Sequence, residues 1–228
     1  MKIKDNIANE FDAFSKNYTN DMIGCVPHYL ELMSSFTKAL PKEFNPKNIL
    51  DLGCGNGNVT AKLLQVFPKA KYTLLDASQE MLNLCQQQFK DSKVVYIASY
   101  FKDFAFKANS YDLIVAGFSL HHCDSAEKKI LFKKINRSLK KDGIFSCTDL
   151  MINKDNPEHS ALVEEWKSFV NNNFPDDEKW KWLQDHYNEF DKPDNYTDQI
   201  EWLKEAGFKT IDIIVKKGYW IHLQAVKD

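Results

Sequence analysis

Apolar, β-rich runs alternate along the chain with stretches whose apolar positions recur at helical spacing, the pattern of a parallel sheet with crossover helices. Residues 48–53 read as a first strand. In the next segment Val59, Leu63, Leu64 and Phe67 lie on one face, which predicts a helix over 59–67. Further strands are predicted at 71–75, 93–98, 111–117 and 143–149, with helices at 79–89 and about 125–140, the latter closed by Asp142-Gly143. The C-terminal part reads as a helix over 197–206 capped by Gly207, then strands near 209–215 and 219–226. Two segments break the alternation. Residues 5–40 are expected to form two N-terminal helices acting as a lid, and residues 153–195 a helical cap insertion.

The 228 residues suffice for one such unit with an insertion, so a single domain over 1–228 is expected. With 43% apolar and 13% aromatic residues the chain can build a core, which excludes intrinsic disorder. No run approaches the roughly 20 apolar residues of a membrane helix, and Met1-Lys2-Ile3-Lys4-Asp5 lacks the apolar core of a signal peptide. A cytoplasmic location without membrane contact is the expectation. The cysteines, Cys25, Cys54, Cys85, Cys123 and Cys147, stand singly, so neither a disulfide framework nor a zinc ribbon is suggested. The formal charge is −2, and Arg137 is the one arginine among 30 basic residues. Guanidinium forks that read phosphates and base edges are therefore scarce, and nucleic acid is not an expected partner.

The chemistry concentrates in Ile49-Leu50-Asp51-Leu52-Gly53-Cys54-Gly55-Asn56-Gly57-Asn58, where three glycines alternate as a buried strand turns into a helix. Glycine there lets the backbone approach a ligand and adopt positive φ. A dinucleotide turn of the GxGxxG type would need its third glycine where Asn58 stands. Asp51, just before the loop, would repel a pyrophosphate yet hold a cationic amino group or a sulfonium. Nineteen residues past Gly57, Asp76 closes Thr73-Leu74-Leu75-Asp76, in position to accept both hydroxyls of a ribose.

At these residues the chain resembles the class I S-adenosylmethionine (SAM) dependent methyltransferases, over about residues 5–150 and again 196–226. The resemblance implies an α/β, Rossmann-like fold with a seven-stranded, mostly parallel sheet and helices on both faces. It also implies SAM as cofactor, with Asp51, Gly53, Cys54, Gly55, Gly57 and Asn58 around its methionine part, Asp76 on the ribose, and Ala77 and Met81 beside the adenine. Residues 111–115 followed by 116–122 resemble the fourth strand and the loop beneath the sulfonium, which adds Phe118 to the cofactor set. Where the family usually places an acid on the adenine amine, this chain reads Ser99-Tyr100-Phe101, leaving backbone and two rings. A closer likeness, through residues 22–29 and 202–208, is to the branch containing carboxy-SAM synthase. The arginine that holds the extra carboxylate in that branch is matched here by Trp202, and with Arg137 expected on a remote helix, nothing is expected to replace it. Ordinary SAM and ordinary methyl transfer are thus implied, with a carboxy-SAM-type enzyme or a SAM-binding sensor without transfer activity as the alternatives. A nicotinamide oxidoreductase is disfavoured by Asp51 and Asn58.

A methyltransferase must place the acceptor lone pair near the methyl carbon and exclude water. The two helical segments are the natural lids. Phe11, Phe14 and Tyr18 fall in the first, and Trp166, Phe169, Phe174, Trp180, Trp182, Tyr187 and Phe190 in the second. Between Asn153 and Asn195 five lysines face eleven Asp or Glu, a net −6. An aromatic, acidic cap suits a small neutral or cationic, amine-like acceptor, unless the rings are the insertion's own core and the acids its solvated face. His121 and His122 follow the fourth strand, where one could serve as general base, with Tyr18, His28 and Asp149 as further polar candidates. The histidines lack HxxxH or HExxH spacing, so no metal site is expected. A homodimer is left open.

Overall fold

The computed structural model describes residues 17–90 and 92–228; Phe11 and Phe14 lie outside them. Helices α1 (Tyr18–Cys25) and α2 (Tyr29–Lys38) precede β1 (Asn48–Leu52), α3 (Asn58–Val66), β2 (Lys71–Asp76), α4 (Gln79–Gln88) and β3 (Val94–Ala98). Then come β4 (Tyr111–Gly117), a 3₁₀ turn (Leu120–His122), α5 (Ser125–Ser138) and β5 (Leu139–Leu150). Helices α6 (His159–Asn173) and α7 (Asp177–Phe190) fill the segment predicted as an insertion, followed by α8 (Tyr196–Glu205), β6 (Thr210–Lys217) and β7 (Trp220–Val226). The seven strands lie in the order β3-β2-β1-β4-β5-β7-β6. Only β7 runs antiparallel, paired on both sides with β5 and β6.

The sequence dictates this layering. β1 and β4 are continuous apolar runs buried on both faces, as central parallel strands are, whereas the edge strands β3 and β6 keep exposed positions. One core layer packs Leu32, Met33 and Phe36 of α2 with Leu63 of α3 against the sheet; the other packs Leu131, Phe132 and Ile135 of α5 with Leu203 of α8. Local signals fix the helix starts. Ser78 accepts from the Met81 amide, and Asp124 and Glu127 form a reciprocal capping box. In the first layer the buried His222 of β7 lies 2.6 Å from both Ser35 of α2 and Ser146 of β5, pinning the N-terminal helix to the sheet.

One boundary departs from the prediction. Helix α5 stops at Ser138 and β5 begins at once, because the amides of Asn109 and Ser110 donate to the carbonyls of Arg137 and Ser138, and Leu139 pairs with Tyr111. Asp142, with φ 59°, then carries a bulge before Ile144 regains register with Leu113.

Candidate active site

The strand ends gather the predicted cofactor residues because a parallel sheet presents its carboxyl ends together at the β1/β4 switch point. A cavity of about 290 Å³ there is lined by Tyr18, Gly53, Gly55, Asp76, Ala77, Met81, Ser99, Tyr100, Phe101 and Phe118. Gly53 takes φ +66°, and a Cβ on it would stand 2.4 Å from the Cβ of Ser119, so this position must be glycine. Gly55 takes φ +51° and faces the Tyr18 ring, which a Cβ would meet at 3.6 Å. The loop is tied to its neighbour strand: Gly53 and Cys54 amides donate to the Leu75 carbonyl, and the Gly55 amide donates to Asp76 Oδ2 at 2.8 Å. The other Asp76 oxygen accepts from the Ser78 amide. Asp76 therefore braces the loop as well as facing the cavity. Phe118 holds φ 53°, a left-handed conformation costly for a phenylalanine, at the bend between β4 and the 3₁₀ turn.

Four residues predicted to touch the cofactor do not line this cavity, among them Gly57, where an added Cβ would stand 2.6 Å from the Phe89 ring. Asp51 is 1% exposed, accepts a 2.6 Å hydrogen bond from Thr60 of α3, and has no hydrogen bond to its second oxygen among the described residues. Burial pushes its carboxyl up to about 7, against the pull of Thr60. Cys54 is buried with its thiol toward the Gly55 carbonyl. Asn58, the first residue of α3, accepts from Thr19 and donates to Tyr29, so it clamps the N-terminal helices onto the loop. Three lysines absent from the sequence reading, Lys102, Lys134 and Lys192, do line the cavity. Trp202 lies elsewhere, half-buried on α8 with Lys129 5.0 Å above its ring, and lines neither this cavity nor the next.

A second cavity of about 70 Å³ shares Tyr18 and Phe118 with the first. Its walls include Trp166, Trp182, Tyr187 and Trp220, and its polar corner is His121, Asp149, His186 and Asp191. Trp166 donates to the Cys25 carbonyl at 2.6 Å and packs edge-on against Trp180, Tyr187 and Trp220, which locks α6 and α7 to α1 and to β7. Of the cap's acids, Asp191 alone lines the chamber. It is half-buried, Asp194 is buried against Lys128, and the rest of the eleven face solvent.

Asp149, at the end of β5, accepts from the His121 backbone at 3.0 Å and binds its Nδ1 at 2.5 Å. Burial alone would depress the His121 imidazole, but Asp149 and Asp191 outweigh it and raise it to about 9. Burial and the neighbouring His121 lower His122, which faces the cofactor cavity. Burial pushes the Tyr18 phenol well above its usual range, which argues against its role as a base and leaves it a neutral wall between the cavities. His28, in a left-handed turn before α2, is exposed and outside both cavities.

The fold, the glycine loop and the carboxylate one strand away define a class I methyltransferase. A sequence model described as "Methyltransferase domain" matches residues 49–143. A carboxy-S-adenosyl-L-methionine synthase of Campylobacter lari is 22% identical over 225 residues, covering 94% of this chain and 92% of that one. The demethylmenaquinone methyltransferase of Thermotoga maritima is 26% identical over 174 residues, 73% of this chain and 72% of its own length. A solved SAM-dependent methyltransferase from Leishmania major shares the fold, with a TM-score of 0.67 at 15% identity over 96% of this chain and 81% of that one. Residues 49–143 thus carry a methyltransferase domain, the chain is similar to class I SAM-dependent methyltransferases near the branch that includes carboxy-SAM synthase, and SAM is its cofactor. The residues present fit that cofactor: the loop at Gly55 leaves the room a side chain would fill, and Asp76 faces the cavity from the neighbouring strand. Among the described residues no helix is long and apolar enough to cross a membrane.

Proposed function

We propose that the chain methylates a small, neutral acceptor held in the aromatic chamber beside the cofactor cavity. The observation that carries this reading is the shared wall: Tyr18 and Phe118 line both cavities, so an acceptor in the smaller one lies beside the cofactor. SAM, when bound, supplies an electrophilic methyl group on a sulfonium. The glycine loop receives the amino-acid part, Asp76 accepts the ribose hydroxyls, and Ala77, Met81, Ser99, Tyr100 and Phe101 enclose the adenine. Helices α1 and α2 act as the lid and α6 and α7 as the cap, which exclude water and fix the acceptor near attack distance. A cationic acceptor loses its main support because the cap's acids are mostly solvated, while the rings remain to grip an apolar body.

The test pairs calorimetry of SAM with a panel of small alcohols, phenols and amines, scored by mass spectrometry for methylated product and demethylated cofactor. One SAM bound per chain and a methylated neutral compound are expected. A protein that binds neither SAM nor its demethylated product would overturn the reading.

A further inference from the structure

The fold brings together a polar cluster that no local spacing in the sequence announces. We propose that His121, His122 and Asp191 form a site for one divalent cation of the zinc type, with its open coordination position toward the acceptor chamber. Its use in catalysis rests on the methyltransferase reading above; the ion site itself does not.

The geometry centres on one atom. Asp191 Oδ1 lies 3.2 Å from His122 Nδ1, 3.6 Å from His121 Nε2 and 3.7 Å from His186 Nε2. This oxygen is shielded from solvent, and three imidazoles crowd it. Separations of 3.6 Å and more are too long for hydrogen bonds. They match ligands sharing one ion: bonds of about 2.0–2.1 Å in a tetrahedral arrangement set ligand atoms about 3.3 Å apart. The ligating atoms of His121, His122 and Asp191 all lie within 4.8 Å of one another. Two imidazoles and a carboxylate suit zinc, iron or cobalt better than magnesium or calcium, which favour oxygen alone.

The surroundings are those of a built site. Asp149 binds His121 through Nδ1, which leaves Nε2 directed at Asp191, the carboxylate–histidine support that orients metal-bound imidazoles. His121 and His122 sit on the short 3₁₀ turn after β4, and Asp191 directly follows α7, so strand end and cap close on each other at this point. His122 lines the cofactor cavity while His121 and Asp191 line the acceptor chamber, which puts the ion between them. Three protein ligands with a free position is the pattern of catalytic zinc. An acceptor O–H or N–H taking that position would lose its proton to solvent. Its lone pair then bonds to the methyl carbon as the carbon–sulfur bond breaks, with the electron pair staying on sulfur.

Cobalt(II) titrated into chelator-treated full-length protein should produce visible d–d absorption saturating at one ion per chain and displaced by zinc. His122→Ala and Asp191→Asn should each weaken cobalt binding at least about tenfold, and Asp149→Asn by about 10–100-fold through the orienting contact. Wild-type protein that takes up no cobalt, or takes it up equally in the His122→Ala/Asp191→Asn double variant, would overturn the site. The wild-type titration decides alone if a variant fails to fold. SAM calorimetry in parallel separates the two readings: SAM binding without cobalt uptake overturns only the ion site, and cobalt uptake without SAM binding overturns only the cofactor reading.

Discussion

The cofactor side and the acceptor side of this molecule are built on different principles. On the cofactor side, consecutive residues at the ends of β1, β2, β3 and β4 make the cavity, and much of what faces it is backbone in a fixed conformation. On the acceptor side, Tyr18, His121, Asp149, Trp166, Trp182, Asp191 and Trp220 come from separate places in the chain and present mainly side chains to the chamber. The first kind of site depends on φ angles and strand register. The second depends on packing, so it can change its occupant without disturbing the loop that holds the cofactor. A fold shared across many acceptors needs that division.

If the comparison holds, the largest effect belongs to the backbone of the cofactor loop. Gly55→Val forces a β-branched residue to φ +51° and puts its methyls into the cavity, so calorimetry should find no measurable SAM binding. Normal affinity would remove the loop from the site. On the acceptor side, Trp166→Ala removes a buried ring and leaves the Cys25 carbonyl without its donor, at a cost of about 3–5 kcal/mol in denaturant unfolding. A loss below about 1 kcal/mol would mean that the cap is held by something other than this ring cluster.

These differences also explain what could be read from the sequence. The succession of strands and helices and the glycine loop are legible because Asp51, the three glycines and Asp76 follow one another at fixed spacing, and the apolar periods switch cleanly between strand and helix. Asn58 was misplaced for a physical reason: beginning a helix beside the loop, its amide finds Thr19 and Tyr29, which no local pattern reveals. The lysines of the cavity come from α5 and from loops on opposite sides, and Asp191 stands far along the chain from His121 and His122. Convergence of that kind is a property of the fold. The cap's net charge says nothing of which way each side chain points, and its acids other than Asp191 and Asp194 face solvent.

Asp51 offers a test in which pH is the variable. Its carboxyl is held up to about 7 in the folded protein by burial, so the neutral form is the one the fold favours. The stability it confers is fully present below the ordinary carboxyl range near 4 and is lost as pH rises through 7, by at most ~4 kcal/mol. Asp51→Asn keeps the acceptor for Thr60 and does not titrate. Without cofactor it should therefore be the more stable protein at pH 8, with the gap closing toward pH 4 in urea unfolding. A pH-independent gap would show that Asp51 is not a buried acid.

A smaller loss is expected from Asp76→Ala, because the Gly55 and Ser78 amides it releases can turn to water. SAM affinity should fall at least about tenfold through the lost ribose contacts and the loosened loop, each charge-assisted hydrogen bond contributing about 1.5–3 kcal/mol at best. Asp76→Asn should recover part of the affinity, since its amide oxygen can still accept from Gly55. If Asp76→Ala binds SAM as wild type does, the ribose role is wrong.

The smallest effect sharpens the comparison most, because it concerns a residue that the resemblance places in the site and the structure does not. Trp202 corresponds by sequence to the arginine that holds a carboxylate in the neighbouring branch, and restoring a guanidinium there would be expected to favour carboxy-SAM. Yet the indole packs on α8 beneath Lys129, outside both cavities, while Lys102, Lys134 and Lys192 line the cofactor cavity. Trp202→Arg should thus leave the ratio of SAM to carboxy-SAM affinity within about twofold of wild type, the size of an ordinary surface substitution. Competitive titration of both cofactors on the two proteins, with mass spectrometry of whatever ligand co-purifies, measures it. A marked shift toward carboxy-SAM in Trp202→Arg would mean that α8 moves into the cavity when cofactor binds. Carboxy-SAM found in the wild-type protein would instead point to the cavity lysines as its anchor, and the charge reversals Lys134→Glu and Lys192→Glu would then tell which of them holds the carboxylate.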